Sequence, residues 1–338
     1  MGRSRRMILH LLLGALVAGA CLWWSVRSVD WTELSGKFAS ARYITAPLML
    51  LLLVGFFGLK AIRWQLLLVP VRRLGLPAVT GPLLVGFMAN NLLPAHLGEL
   101  VRVHVMGRTQ QMSRAAVLSS VVLERLFDLV AILGFLGLGL LADERLREKY
   151  SEAVMIVAAV TGIILLSAIL FVCASETVVR VTGYILLHWL RFVPERWRHQ
   201  MLDLVRSAAA GMSALRFPRL AIGIVATSVL QWLLMGLMVW VSLDAFGASA
   251  VLWPSFVVVG AIAVLIIVPA PPGYVGPVQA CFIVVLGLYG VDNETALAAS
   301  IYFHLWQYVP VTLAGLWCLQ RLGLGWRDLR AADSEMQE

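Results

Sequence analysis

Long runs of apolar residues, separated by short polar stretches, follow one another along most of the chain. A helix that spans a bilayer needs about 20 consecutive, mostly apolar residues. The runs of this kind are residues 7–26, 43–69, 115–141, 153–174, 220–241 and 296–319. They are continuous rather than alternating, so an outer-membrane barrel is not indicated. The pattern predicts an all-α polytopic membrane protein with about six full spans.

Two further apolar segments are interrupted by helix-breaking residues. Segment 80–106 contains NNLLPAHLGELVR, and segment 251–288 contains PAPPGYVGPVQ. Proline removes a backbone donor, glycine relaxes a helix, and irregular backbone persists in a bilayer only inside protein or beside a cavity. Both segments are therefore predicted to be re-entrant hairpins or pairs of half-helices. The predicted helix-breaking residues are Pro94, Gly98, Pro271, Pro272, Gly273 and Gly276.

The composition agrees with a membrane protein, since 60% of the residues are hydrophobic, 14% are charged and the mean hydropathy is +0.86. These values lie far outside the range of soluble domains. The four cysteines stand singly in apolar segments, with neither a metal-ligand spacing nor a disulfide pattern. No cofactor and no metal site is predicted.

The distribution of basic residues predicts the topology. The net charge of +8 is concentrated at the ends of the spans, which indicates the positive-inside rule rather than nucleic-acid binding. Lysine and arginine gather near residues 72–73, 108–114, 176–219 and 321–330. These regions and both termini are assigned to the cytoplasm, and the protein to the cytoplasmic (inner) membrane.

The chain is predicted to form a single transmembrane domain over residues 1–322. Within it, residues 176–217 form a cytoplasmic amphipathic connector, because apolar residues recur at helical spacing between charges. Residues 323–338 form a short cytoplasmic polar tail.

With this topology, the two interrupted segments enter the membrane from opposite sides. Pro94 precedes Gly98 by four residues, as Pro272 precedes Gly276. Each interruption is followed by a long apolar segment with polar residues part-way along. Because inverted repeats with discontinuous helices are typical of secondary transporters, we expect an inverted-repeat, transporter-like architecture.

Three ionisable residues, Glu124, Arg125 and Asp128, lie about ten residues into a predicted span, roughly 15 Å deep. Each would cost about 2.5–3.5 kcal/mol if it faced lipid, so we expect all three to face the protein interior. Arg125 and Asp128 are spaced to pair with each other, and Glu124 then needs a partner such as Arg102 or His96. The cluster is either a structural tie between helices or a headgroup or proton site.

The first interruption suggests an anion site. The free N–H groups of a half-helix that starts after Pro94, together with Arg102, would suit a phosphate. The alternative for Glu99 and Arg102 is a helix cap and a weak surface ion pair. Lys60 and Arg63 are interpreted first as snorkelling anchors and alternatively as attractors of phosphate headgroups.

The predicted headgroup-binding set combines these charges with polar residues of both interrupted segments and the last span. His96 and His304 are also candidate proton carriers. The set is Asn90, His96, Glu99, Arg102, Glu124, Arg125, Asp128, Gln279 and His304. The sequence contains no GxSxG, HExxH or P-loop motif, so no catalytic residues and no enzyme activity are expected.

The chain resembles the lysylphosphatidylglycerol synthase transmembrane region family, also called flippase-like or UPF0104, over residues 7–322. The resemblance is carried by KAIRWQLLL, NNLLPAHLGELVR, LERLFDLV, PPGYVGPVQ and VPVTLAG. Family members resemble the flippase half of bifunctional aminoacyl-phosphatidylglycerol synthases, and others are linked to dolichol-phosphate sugar or hopanoid processes. The resemblance implies lipid-handling roles for Asn90, Pro94, Gly98, Glu99, Arg102, Glu124, Arg125, Pro272, Gly273 and Gly276.

Two departures limit what the resemblance implies. A short polar tail stands where the bifunctional relatives have a soluble aminoacyl-transferase domain, so synthase activity is not expected. In the last span, Phe303 and His304 follow Tyr302, where the family pattern has an arginine after an aromatic residue.

The expected function is translocation of a phosphate-headgroup lipid between membrane leaflets through a polar central cavity. The expected partners are membrane lipids: an anionic phospholipid, an aminoacylated phospholipid or a polyprenyl-phosphate-linked sugar. Two alternatives remain, a non-transporting accessory subunit of a lipid-modifying or glycan-assembly enzyme, and an intramembrane enzyme built from Glu99, Glu124 and His96. The Gly-rich spans are compatible with a homodimer.

Overall fold

The computed structural model describes residues 16–27, 29–93, 97–141, 217–248, 252–266 and 272–325, with isolated positions between residues 144 and 202. Every regular element in these ranges is helical. The predicted span 153–174, the connector 176–217 and the tail 323–338 fall largely outside the described residues, as do Pro94, His96 and Pro271.

The helices are numbered in chain order over the described ranges. They are α1 (Leu16–Val26), α2 (Trp31–Ala39), α3 (Ala46–Leu68), α4 (Leu76–Leu92), α5 (Leu97–Gln110), α6 (Arg114–Leu141), α7 (Pro218–Ala245), α8 (Leu252–Ile266), α9 (Pro277–Gly287) and α10 (Asn293–Arg321). Short 3-10 turns occupy Tyr43–Thr45 and Pro272–Tyr274.

The outer surface of the bundle is that of a membrane protein. In the described part, Tyr43–Leu68 and Pro218–Ala245 are long and apolar enough to cross a membrane. Large apolar side chains such as Leu51, Ile222 and Leu313 are exposed on the outward faces. Soluble proteins rarely expose contiguous apolar surface of this kind.

The helix starts follow from local sequence signals. α3, α4 and α7 carry proline in the first turn, where its missing N–H group is not needed. α10 is capped by Asp292, whose carboxylate accepts a hydrogen bond from the Thr295 N–H group at 2.8 Å. α2 is capped in the same way by Asp30.

Both interrupted segments are pairs of short helices, as the prediction allowed. α4 and α5 have 17 and 14 residues, and α8 and α9 have 15 and 11. At about 1.5 Å per residue, the described part of each of these four helices is shorter than a typical bilayer span. Gly273 and Gly276 have φ angles of 67° and 95°, which favour glycine, so they do form the second break.

The prediction for Gly98 needs correction. It is the second residue of α5 and therefore lies within a helix rather than at a break. A Cβ atom at Gly98 would lie 2.0 Å from the carbonyl oxygen of Gly86 on α4. Glycine at this position permits close packing of α4 and α5, as small residues do between membrane helices.

At one end of the bundle, here called the first end, ion pairs join loops that are far apart in the chain. Arg42 Nη1 lies 3.1 Å from Asp244 Oδ1, and Lys37 Nζ lies 3.5 Å from Asp292 Oδ1. The first end comprises residues 30–45, 244–248 and 288–294.

At the opposite end, here called the second end, a different set of loops and helix ends meets. Contacts join Arg72 with Gln110, Leu66 with Gly223, and Leu322 with Gly81. The second end comprises residues 66–76, 107–114, 217–223 and 321–324. The α4–α5 pair thus begins and ends at the second end, whereas the α8–α9 pair begins and ends at the first end.

The helix pairings follow a regular scheme. α3 packs against α7, α4 packs against α10, and α6 packs against α8. Within the pairs, α4 contacts α5 and α8 contacts α9, while α5 contacts α6 and α9 contacts α10. If α3, α4, α5 and α6 are matched in order with α7, α8, α9 and α10, each of these contacts has an equivalent contact. For example, the α4–α10 contact corresponds to the α8–α6 contact.

We predict that Gly98→Ala destabilises the protein by about 1–3 kcal/mol or more, because its methyl group would meet backbone that cannot move aside. Gly58→Ala is the matched control, since no atom lies within 4 Å of a Cβ at Gly58 on α3. Thermal unfolding of both purified variants in detergent measures the difference. Equal unfolding temperatures for the two variants would contradict the close contact.

Candidate functional site

Five charged side chains are buried together where α3, α5 and α6 meet. They are Lys60, Arg63, Arg102, Glu124 and Asp128, and each is at most 3% exposed. Lys60 and Arg63 share one face of α3 because they are three residues apart, and Glu124 and Asp128 share one face of α6 because they are four apart. Charges this deeply buried are stable only when they are paired.

Glu124 is contacted by three cations from two helices. Its Oε1 atom lies 3.2 Å from Lys60 Nζ and 3.4 Å from Arg63 Nη2. Its Oε2 atom accepts a hydrogen bond from Arg102 Nη2 on α5. The Arg102 guanidinium also lies 3.4 Å from the centre of the Trp64 ring, so its planar face is covered.

Asp128 connects two of these cations, Lys60 and Arg63, to α7. Its Oδ2 atom lies 3.1 Å from Lys60 Nζ, and its Oδ1 atom lies 2.8 Å from Arg63 Nη1. Gln231 Nε2 and Trp232 Nε1 of α7 donate hydrogen bonds to Oδ1 at 2.6 Å and 2.9 Å. The charge cluster therefore links α3, α5, α6 and α7.

The interpretation of Lys60 and Arg63 as snorkelling anchors is wrong. Their side chains are 2% and 0% exposed and bind the carboxylates of α6 instead of reaching toward the membrane surface. The sequence placed them near a helix end, but it did not show that α6 offers them two anions. The Lys60 and Arg63 side chains therefore point toward α6, because its carboxylates neutralise their charge.

A second ion pair lies beside the buried cluster and is more accessible. Arg125 Nη2 lies 3.2 Å from Glu99 Oε1, and these side chains are 42% and 22% exposed. Arg125 Nη1 is 3.8 Å from Asp128 Oδ2, the more distant of its two carboxylate contacts. The predicted contact of Arg125 with Asp128 is therefore present, and Glu99 is the nearer of the two carboxylates.

A cavity of about 320 Å³ lies between the two interrupted segments. Its walls are mostly apolar and aromatic, formed by Phe56, Phe57, Phe87, Trp232, Met235, Val259, Ile262, Ala263, Val278, Phe303 and Val311. Its polar and tyrosine lining comprises Lys60, Asn90, Asn91, Glu99, Arg125, Tyr274, His304, Gln307 and Tyr308. An apolar pocket with a few convergent polar groups is the usual form of a small-molecule site.

Part of the predicted headgroup-binding set lines this cavity. Asn90, Glu99, Arg125 and His304 do so. Arg102, Glu124, Asp128 and Gln279 do not, and they lie behind the cavity wall as buried side chains.

The predicted anion site at the start of α5 also needs correction. Arg102 is engaged by Glu124 and Trp64, and the Gly98 N–H group donates to Asn90 Oδ1 at 2.8 Å. Arg102 Nη2 and the Gly98 N–H group are therefore already engaged, whereas the buried Nε and Nη1 atoms of Arg102 have no hydrogen-bond partner among the described residues. Because Arg102 does not line the cavity, it supports the site from behind.

Polar contacts on α10 bring the two interruptions together. Asn91 Nδ2, near the end of α4, donates to Thr312 Oγ1 at 2.9 Å, and Tyr308 Oη donates to the Asn91 carbonyl at 3.2 Å. A Cβ atom at Gly273 would lie 2.5 Å from the Tyr308 ring, so the second break rests directly on this tyrosine. The ends of α4 and of the second break therefore meet at the cavity.

The second interrupted segment has a contact between residues at the positions of the Glu99–Arg125 pair: Gln279 is the third residue of α9, as Glu99 is of α5, and His304 is the twelfth residue of α10, as Arg125 is of α6. Gln279 Nε2 on α9 lies 3.3 Å from His304 Nδ1 on α10. Gln279 Oε1 accepts a hydrogen bond from the Gly276 N–H group at 2.7 Å, which fixes the start of α9. The charged groups of the site are therefore concentrated on the α3–α6 side.

Several cavity or cluster residues were not in the predicted set: Lys60, Arg63, Asn91, Gln231, Trp232, Tyr274, Gln307 and Tyr308. A polar residue within an apolar span is a usable signal for Gln231, Gln307 and Asn91. No comparable signal marks the aromatic residues, because interfacial and core aromatics look the same in a sequence.

The site carries a net positive charge in its ionised form. Four cations, Lys60, Arg63, Arg102 and Arg125, face three carboxylates, those of Glu99, Glu124 and Asp128, which leaves a net charge of +1. In a weakly polarisable interior this excess attracts an anion more strongly than it would in water. The arrangement suits a ligand that carries a negative group on an apolar body.

A group of carboxylates that could hold a metal ion lies far from this cavity, at the first end. Glu33, Asp292 and Glu294 bring oxygen atoms within 4.8 Å of one another. Asp292 is already paired with Lys37, and Glu294 accepts a hydrogen bond from the Asp30 N–H group. These contacts explain the grouping without a metal.

The fold and the site define an α-helical membrane protein with a mostly apolar cavity, lined by a few polar groups, between discontinuous helices. The family model of the lysylphosphatidylglycerol synthase TM region matches residues 11–315, and the chain belongs to this family.

A UPF0104 membrane protein of Methanothermobacter thermautotrophicus is 26% identical to the chain over 259 residues, which cover 71% of this chain and 74% of that protein. No solved structure matches the chain. The family model and this relative confirm the resemblance that the sequence motifs indicated.

We predict that Glu124→Gln lowers the free energy of unfolding by about 3–5 kcal/mol, because it leaves buried cations without their main counter-charge. Asp244→Asn is the matched control, since its ion pair with Arg42 is exposed and contributes at most about 1 kcal/mol. Denaturant titration of the purified variants measures both values. The structural role of the cluster is refuted if the two substitutions cost the same.

Proposed function

We propose that the protein translocates lipids with a phosphate-bearing headgroup between the leaflets of the membrane. The observation that carries the proposal is the cavity, where apolar walls meet Lys60 and Arg125 between the two interrupted segments. A lipid headgroup that crosses the hydrocarbon region needs polar groups inside the protein, and the polar residues of the cavity could serve this purpose.

The cavity limits the size of the headgroup. Its volume of about 320 Å³ lies at the lower end of small-molecule sites, roughly 300–1,000 Å³. A phosphate with a glycerol, an amino alcohol or a single sugar suits this volume, and an oligosaccharide exceeds it. Arg125 and Lys60 face the phosphate, while Asn90, Asn91 and Gln307 offer hydrogen bonds to the remainder of the headgroup.

The helix arrangement supports an inverted repeat. The hairpins α4–α5 and α8–α9 enter from opposite ends of the bundle, and the pairing scheme is preserved when the two sets of four helices are exchanged. Transporters with this arrangement alternate access by moving one repeat against the other around a fixed central site. The cavity lies at such a place, between the two interruptions.

In the proposed orientation, the second end faces the cytoplasm. It contains Arg72, Arg73, Arg108, Arg114, Arg219 and Arg321, whereas Lys37 and Arg42 at the first end are paired with carboxylates. We therefore propose that both termini are cytoplasmic, in accordance with the positive-inside rule, and that the protein resides in the cytoplasmic membrane. Transport is downhill or coupled to an ion gradient, and no catalysis is proposed.

We predict that Arg125→Gln slows lipid translocation at least about tenfold, equivalent to about 1.4 kcal/mol. Full-length protein is reconstituted into liposomes with fluorescent phosphatidylglycerol, and exchange between leaflets is followed by quenching with dithionite. Parallel liposomes carry a fluorescent polyprenyl-phosphate-linked monosaccharide. Arg42→Gln is the matched control, because it removes an exposed arginine at the first end.

Wild type and Arg42→Gln should translocate at equal rates. Equal rates for wild type and Arg125→Gln would refute the headgroup site. Failure of the wild type with both lipids would refute translocation and favour an accessory role, and a chemically altered lipid would favour an enzyme.

The orientation predicts that two cysteines, each introduced into a variant without the native cysteines, differ in their accessibility from outside the cell. Ser40→Cys at the first end should react with a membrane-impermeant maleimide in intact spheroplasts. Arg73→Cys at the second end should react only after permeabilisation, because it faces the cytoplasm. The opposite labelling pattern would overturn the assigned orientation.

A further inference from the structure

Arg125 is the most accessible cation of the site and has a distinctive partner. Of the described residues that line the cavity, it is the one arginine. Its closer carboxylate, that of Glu99 at 3.2 Å, comes from α5 rather than from its own helix. The ion pair therefore joins two helices across the wall of the cavity.

Glu99 differs from the other carboxylates of the cluster. Glu124 and Asp128 are almost fully buried, and each lies within 3.4 Å of two or more cations. Glu99 is 22% exposed and, within the described part of the chain, is paired with Arg125 alone. It is thus the carboxylate that can separate from its cation with least disruption of the buried cluster.

The position of Glu99 in the fold makes separation from Arg125 feasible. It lies in the first turn of α5, where the N-terminal end of the helix stabilises a negative charge independently of Arg125. It also faces the cavity, so its carboxylate can be hydrated or can bond to a ligand. Arg125, in contrast, lines a mostly apolar cavity, where a charge without a nearby anion is costly.

We propose that the Glu99 carboxylate pairs with Arg125 while the cavity is empty, and that the phosphate of the lipid headgroup takes its place when a lipid binds. This inference rests on the proposed binding of a phosphate headgroup. The exchange keeps Arg125 paired throughout, which avoids an uncompensated charge inside the membrane.

The exchange makes the site selective for strong anions. A phosphate offers several charged oxygens to the planar guanidinium and binds it more strongly than a single carboxylate. A neutral lipid is a poor replacement for Glu99, because it would leave Arg125 with the more distant Asp128 carboxylate, at 3.8 Å, as its counter-charge. Glu99 is therefore a specificity-determining residue, and its removal should strengthen the binding of anions in general.

The test measures binding of dioctanoyl phosphatidylglycerol to the purified full-length protein by calorimetry. Glu99→Gln should bind this lipid about five- to tenfold more tightly than wild type, because it removes a competing charge close to Arg125. Glu99→Asp should show a smaller gain, since a shorter carboxylate reaches Arg125 less well. Glu33→Gln, which removes an exposed carboxylate on α2, is the matched control and should bind as wild type does.

Neutral dioctanoylglycerol supplies a second control, and Glu99→Gln should not change its affinity. Unchanged or weaker binding of phosphatidylglycerol by a folded Glu99→Gln variant would overturn the inference. If that variant does not fold, an affinity of Glu99→Asp no higher than that of wild type overturns it.

The two proposals fail separately. Tighter binding by Glu99→Gln without translocation by the wild type in liposomes would refute the transport function and leave the anion exchange intact. Translocation by the wild type without any gain in affinity would refute the exchange and leave the transport function intact.

Discussion

Neutralisation of buried charge is the constraint on which this structure depends. Lys60, Arg63, Arg102, Glu124 and Asp128 would each cost several kcal/mol in an apolar interior, roughly 2.5–3.5 kcal/mol at a lipid-facing position. Together they form a cluster in which every member has an opposite charge within 3.4 Å. Because these residues come from three helices, and Asp128 also bonds to α7, the charges fix how the central helices meet. The cavity is a consequence, since the same arrangement leaves Arg125 and Lys60 facing the space between the interruptions.

The discontinuous helices follow from the same requirement. Arg102 reaches Glu124 only because α5 returns beside α4 and packs closely at Gly86 and Gly98. A continuous span would carry Arg102 away from α6. The second interruption has no ion pair of this kind among the described residues and instead brings Gln279 close to His304, so the two interrupted segments differ in charge. This asymmetry places the charged groups of the cavity on its α3–α6 side, while apolar side chains make up most of the wall.

The sequence predicted the helical membrane class, the two interruptions and the burial of charges on α6, because hydropathy and helix-breaking residues are local signals. It failed for Lys60 and Arg63, whose partners are distant in sequence and are brought together only by tertiary packing. It also placed Arg102 in the headgroup site, although Glu124 and Trp64 hold it behind the cavity wall. The spacing of ionisable residues indicated that they pair, but the choice of partner depends on how four helices cross.

The most direct test of this account is a cryo-electron microscopy structure of the full-length protein in nanodiscs that contain phosphatidylglycerol. The account predicts lipid density in the cavity, with the phosphate within roughly 3 Å of the Arg125 guanidinium and the acyl chains against the apolar walls. Phosphate density confined to the outer surface of the bundle, with an empty cavity and Glu99 still bound to Arg125, would contradict it.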